Sequence, residues 1–211
     1  MPHSNRRNNF PKKNSKVYAS SHGNHGFKEK FSFFMGKDKK NYFAPLYDCL
    51  GGREIDDDII LEIIKDMEYY AARGEPFIVI IILGTNNIRK KGCALDIMPH
   101  FLKLADRVAE LPRVHLVING MLPCPDTDED TKDRIGSKWN FSEASSMLKT
   151  IADSSDRITF VDLGSIFTRG GVPKVELFNR GGLHLNKDGV NDLAKANYDA
   201  VRTIPHSALS N

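Results

Sequence analysis

Cysteine is scarce: Cys49, Cys93 and Cys124 are the only three in the chain, widely spaced and odd in number. Such a set suits neither a disulfide framework nor a closed zinc site of the CxxC kind, and it points to a reducing compartment. A long apolar run is also lacking. The longest, residues 77–83, falls far short of the ~18 to 20 residues needed to span a bilayer, so no membrane span is expected. The N-terminal segment has charges and asparagines but no apolar stretch of the secretory type, which makes an intracellular location, cytoplasmic or nuclear, the expectation. His22, His25 and His115 have no ligand-like spacing. The alternating carboxylates of Asp126, Asp128 and Asp130 resemble a calcium loop, but Thr131 stands where that loop needs glycine and Ser137 where it needs glutamate. No metal site and no cofactor are expected.

What charge there is lies unevenly. The formal net charge of +3 conceals ten Lys/Arg against two Asp/Glu in residues 1–40, and twenty against twenty-five in the rest. Arg6, Arg7, Lys12, Lys13 and Lys16 make a basic, asparagine-rich start. It reads either as a solvated tail or as a segment that draws phosphates by releasing counterions, which makes nucleic acid a candidate partner. Residues 1–15 lack periodicity and are set apart as a tail; residues 16–203 form the expected single domain, and 204–211 a C-terminal tail. With 211 residues and 40% hydrophobic content, one sizeable core is within reach.

The chain alternates strands with helices. A short strand is expected at 16–20, running into a glycine-bearing turn at 21–26. Residues 27–50 admit a helix around Phe31 to Phe34 and a strand around Phe43. Apolar positions at a 3.6 period, with Asp56, Asp57 and Asp58 in the first turn, predict a helix over 55–73. Residues 77–83 are β-branched and continuous without alternation, as in a central parallel strand covered on both faces. A helix over 94–111, a strand over 114–119, a helix over 141–153, a strand over 158–163 and a last helix over 187–202 follow. This pattern predicts an α/β domain, a three-layer α/β/α sandwich, with its site at the carboxyl ends of the strands.

Four positions along that edge bear chemistry. Ser21 follows the first strand, where a hydroxyl can serve as a nucleophile or simply cap a helix. Gly52 precedes the helix at 55–73 and can present a backbone N–H to an oxyanion, or make an ordinary tight turn. Asn86, in Gly84-Thr85-Asn86-Asn87 at the end of the most hydrophobic strand, can donate its amide to a developing negative charge, though Asn is also a common turn residue. His184 stands immediately before the last helix, where an imidazole can take a proton from Ser21.

In that order, Ser, Gly, Asn and His resemble the blocks of the SGNH, or GDSL-like, hydrolases over roughly residues 16–200. Ala19-Ser20-Ser21-His22 resembles the family's GDSx block. Gly51-Gly52-Arg53-Glu54-Ile55 is similar to the second block, Gly84-Thr85-Asn86-Asn87 to GxND, and Gly181-Gly182-Leu183-His184 to DxxH. The flanking Leu177-Phe178 and Leu185-Asn186-Lys187-Asp188-Gly189 resemble the "LF..DGLHLN..G" run, with a flavour of the esterase-like domains of retroelement proteins. The resemblance implies a flavodoxin-like parallel sheet of about five strands. It also implies serine-esterase chemistry without a metal, with Ser21 and His184 catalytic and with an oxyanion hole from the Ser21 and Gly52 backbone N–H groups and Asn86.

One departure matters most: Gly181 stands where the acid of DxxH would be, three positions before His184. Asp188 and Asp162 are nearby in sequence but at neither the right spacing nor the right block. Two function classes follow. One is an esterase acting on a small-molecule or lipid ester through a Ser-His dyad or degraded triad. The other is a catalytically inactive binding protein on the same fold, with RNA as a candidate partner of the basic tail.

Overall fold

The computed structural model describes residues 28–35, 40–48, 54–74, 76–91, 93–125, 137–182 and 184–209. The basic tail, the strand expected at 16–20 and the acidic loop after Pro125 lie outside the described residues. The main sheet has five strands in chain order: β1 (Lys28–Met35), β2 (Lys40–Asp48), β3 (Phe77–Ile82), β4 (Val114–Asn119) and β5 (Ile158–Val161). β2 through β5 run parallel, and β1 pairs antiparallel with β2, with Phe31 opposite Ala44. A separate two-stranded ribbon is formed by β6 (Thr168–Arg169) and β7 (Val172–Pro173).

The architecture is thus α/β with a mostly parallel sheet, but it departs from a single flavodoxin-like sheet in two respects. The described edge is an antiparallel hairpin, and the β6–β7 ribbon stands apart. The hairpin replaces the helix that the aromatic residues near Phe31 admitted. Aromatic side chains favour strands, and eight consecutive register partners link the two segments.

Consecutive strand order dictates the layers. A right-handed crossover between parallel neighbours that advances in one direction puts each connecting helix on the same face. Accordingly α1 (Asp57–Ala72), α3 (Met98–Glu110) and α4 (Ser137–Asp153) share one apolar cluster with Phe77, Val79 and Ile81 of β3 and with Val114, Leu116 and Ile118 of β4. The alternate residues Ile78, Ile80, Ile82 and Val117 point to the other face. There they meet α5 (Leu163–Phe167), a 3-10 turn at Val175–Leu177 and α6 (Lys187–Thr203). β3 is buried along its whole length, which is why it shows no alternation.

Local signals fix the ends. Asp56 caps α1, its carboxylate accepting the Ile59 N–H at 2.9 Å, a contact of about 1 kcal/mol. After α6 the chain forms another 3-10 turn, His206–Leu209, with Ile204 and Leu209 buried, so the stretch expected as a C-terminal tail packs on the body. No helix among the described residues is long and apolar enough to cross a membrane.

Candidate active site

The carboxyl edge of the sheet begins at Gly84, directly after β3. Its φ of 96° lies in the region that only glycine adopts readily, and a Cβ there would sit 3.0 Å from Ile97 Cδ1 and 3.2 Å from Met121 Cε. The turn leads at once into α2 (Thr85–Lys91), whose first bond runs from the Ile88 N–H to the Gly84 carbonyl. Asn86 therefore stands in the first turn of α2 and is buried, 7% exposed.

Asn87 has a role that sequence reasoning missed. Its side chain is 2% exposed; Oδ1 accepts the Ile55 N–H at 2.8 Å and Nδ2 donates to the Ile55 carbonyl at 3.0 Å. One amide thus satisfies both backbone groups of a residue 32 positions away, tying the turn after β3 to the segment that enters α1. Only the GTNN pattern itself hinted at this, since nothing local names the partner.

A second missed feature is a buried pair of asparagines. Asn119, the last residue of β4, and Asn197, in the middle of α6, exchange amide hydrogen bonds at 2.9 and 3.0 Å. Asn119 also donates to the Ile81 carbonyl and Asn197 to the Leu193 carbonyl. The signal was available: Leu193, Asn197 and Val201 fall four apart on the buried face of α6, and an amide on an apolar stripe requires a polar partner.

His184 lies in a loop closed by an antiparallel bridge between Phe178 and Leu185. The Asn179 N–H donates to the His184 carbonyl at 2.8 Å, and the Gly182 N–H to the Asn179 carbonyl at 2.7 Å. Asn186 holds both ends: Oδ1 accepts the Asp188 and Gly189 N–H groups and so caps α6, while Nδ2 donates to the carbonyls of Glu176 and Phe178. Leu177, Phe178 and Leu185 are buried beneath. Gly189 packs so closely that a Cβ would lie 2.2 Å from the Leu177 carbonyl oxygen. The run from Leu177 to Gly189 is thus a loop-and-cap unit that presents His184.

The imidazole of His184 is exposed, and no hydrogen bond or ion pair among the described residues falls on it. Asp162 caps α5, accepting the Ser165 N–H, and Asp188 is exposed in the first turn of α6. Gly181 is exposed, and a Cβ added there would meet no heavy atom within 4 Å; the positive φ of this loop belongs to Gly182 (67°) instead. Of the four predicted site residues, Asn86 stands in the first turn of α2 and His184 in the loop before α6; Ser21 and Gly52 fall outside the described residues. Among the described residues no three His, Cys, Asp or Glu side chains are grouped to hold a metal.

The chain belongs to the GDSL-like lipase/acylhydrolase family, whose sequence profile matches residues 50–191, a span that contains Asn86 and His184 and begins beyond Ser21. Among solved structures, a GDSL-like lipase from Bacteroides thetaiotaomicron is 15% identical and superposes with a TM-score of 0.55 over 71% of each chain. An aryl esterase from M. smegmatis is 21% identical, with a TM-score of 0.51 over 72% of this chain and 74% of that one. A carbohydrate esterase family 3 protein from Talaromyces cellulolyticus is 14% identical, with a TM-score of 0.50 over 71% and 67%. At these identities the likeness is one of fold. No curated protein sequence matches the chain.

Proposed function

We propose that this protein is a serine esterase that works with a Ser21–His184 dyad. Ser21 Oγ attacks the ester carbonyl carbon while its proton passes to the His184 imidazole. The tetrahedral oxyanion accepts hydrogen bonds from Asn86 Nδ2 and from the Ser21 and Gly52 backbone N–H groups. Collapse breaks the ester C–O bond, and the alcohol leaves with the proton from His184. Water then repeats the sequence on the acyl-enzyme, releasing the acid and restoring Ser21.

The observation that carries this reading is Asn86, a buried amide on the first turn after the central strand, in a chain of the esterase family. Gly181 stands where the resemblance puts the triad acid, so His184 works without a carboxylate to fix its tautomer, and turnover is slow. The retroelement-like branch and an intracellular setting belong to the same proposal. A second reading, an inactive binding protein with an RNA-binding tail, is favoured by Gly181 and by the ten Lys/Arg of residues 1–40.

The test is hydrolysis of p-nitrophenyl acetate together with labelling by a fluorophosphonate. Wild type should hydrolyse and label, and Ser21→Ala should do neither. Equal rates for the two proteins, or an unlabelled wild type, would instead support the binding protein.

A further inference from the structure

A cleft of about 840 Å³ opens at the carboxyl ends of β4 and β5, between the middle of α4 and the β6–β7 ribbon. Clefts in the range of ~300 to 1,000 Å³ hold small organic ligands. Its apolar walls come from Met121, Pro123, Phe141, Phe160, Val172 and Val175.

Ser142 and Asp162 line it from exposed positions, and several of its other polar groups are bonded within the protein. Ser145 Oγ accepts the Met121 N–H at 2.9 Å, Ser146 Oγ donates to the Ser142 carbonyl, and Ser165 Oγ donates to the Asp162 carbonyl. Thr168 Oγ1 donates to the Gly164 carbonyl, and the Lys149 ammonium pairs with Asp153. What these groups leave to a ligand is mainly hydrocarbon surface. Val172 and Val175, 58% and 63% exposed, are apolar side chains that the described residues leave more than half open.

The cleft shares a wall with the Asn86 turn. Met121 packs against Gly84, with Cε 3.2 Å from the Cβ position there, and the Leu122 N–H donates to Thr85 Oγ1 at 3.3 Å. An apolar group seated against Met121 is therefore next to the turn that carries the oxyanion donor.

We propose that this cleft seats the acyl chain of the ester, making the protein selective for medium-length straight-chain acyl esters over acetate. The proposal rests on the esterase reading for its chemistry, but not for the binding of the chain. Two measurements on the full chain separate the two.

In the first, p-nitrophenyl acetate, butyrate, hexanoate and octanoate are compared. Specificity, kcat/KM, should rise about fourfold for each methylene that leaves water. Val172→Asp, which puts a charge at the mouth, and Ser142→Trp, which fills the space from an exposed helix position, should each collapse the octanoate-to-acetate ratio. In the second, binding of octanoate itself is followed by calorimetry. Wild type should bind it, and both variants should lose it.

A flat chain-length profile with no octanoate binding overturns the cleft and leaves the esterase standing. Octanoate binding that both variants abolish, in a protein that hydrolyses none of the esters, supports the cleft and overturns the esterase. Binding unaffected by either variant places the chain elsewhere and overturns the cleft.

Discussion

Acidification from pH 7 to pH 4 should remove about 3 kcal/mol of stability through His115 alone. The residue is 1% exposed in β4, its Nε2 lies 2.8 Å from the Thr159 hydroxyl, and Nδ1 has no hydrogen-bond partner among the described residues. Burial is the largest cause that lowers its pKa from 6.5 to about 4; the charge of Asp156 opposes that shift and Arg157 adds to it. The unfolded chain takes up a proton as pH falls through 6.5, whereas the folded protein stays neutral until about 4. The contribution is thus intact above pH 6.5 and lost progressively down to the folded value. A gap of about 2.5 units at about 1.4 kcal/mol per unit gives the magnitude.

The assay is urea unfolding across that range for wild type and His115→Gln, which keeps an amide within reach of Thr159 but does not titrate. Carboxylates common to both proteins cancel in the difference. Between pH 6.5 and about 4 the difference should move by about 3 kcal/mol in favour of the variant. A difference that stays flat would refute the reasoning, because the imidazole would then titrate alike in both states.

Asn197→Leu should cost about 2 to 4 kcal/mol in urea unfolding, since it leaves the buried Asn119 amide short of a partner, and the double variant with Asn119→Leu should recover part of that loss. Gly189→Ala should destabilise by about 3 kcal/mol or more, because the Leu177 carbonyl at 2.2 Å from its Cβ is backbone and must shift. Gly181→Asp should fold with an unchanged Tm, as the space there is open and φ is ordinary. If the added carboxylate reaches His184 Nδ1, ester turnover should rise about tenfold or more; an unchanged rate in a folded variant would mean that tautomer control does not limit the dyad.

Where burial and period are strong, the sequence was readable. The expected strand at 114–119 coincides with β4, and the expected last helix at 187–202 coincides with α6 to within a residue. The helix at 94–111 starts later, at Met98, because Pro99 enters the first turn and the residues before it form a turn of their own. α2 and α5, of seven and five residues, are too short to show a period, and the β6–β7 ribbon owes its form to Gly170 and Gly171 at positive φ. The hairpin of β1 and β2 depends on cross-strand pairing, which no single window contains. Asn86 and His184 were singled out in the sequence by their place after a strand and before a helix, and the structure puts them after β3 and before α6. The stripe of α6 marks Asn197 as an amide in need of a partner, but the partners of Asn87, Asn119 and Asn197 could not be named, because each lies more than thirty residues away.

Asn186 gives the histidine loop a mechanical property. Because one amide caps α6 on one side and clasps Glu176 and Phe178 on the other, the helix start cannot unwind without loosening the loop. The two form one cooperative opening unit. The protected N–H groups of Asn179, Asn186, Asp188 and Gly189 should therefore exchange with solvent deuterium at a common rate. Slow exchange across all four would mean that His184 is carried on a rigid mount, so that substrate must come to the imidazole rather than the imidazole to substrate.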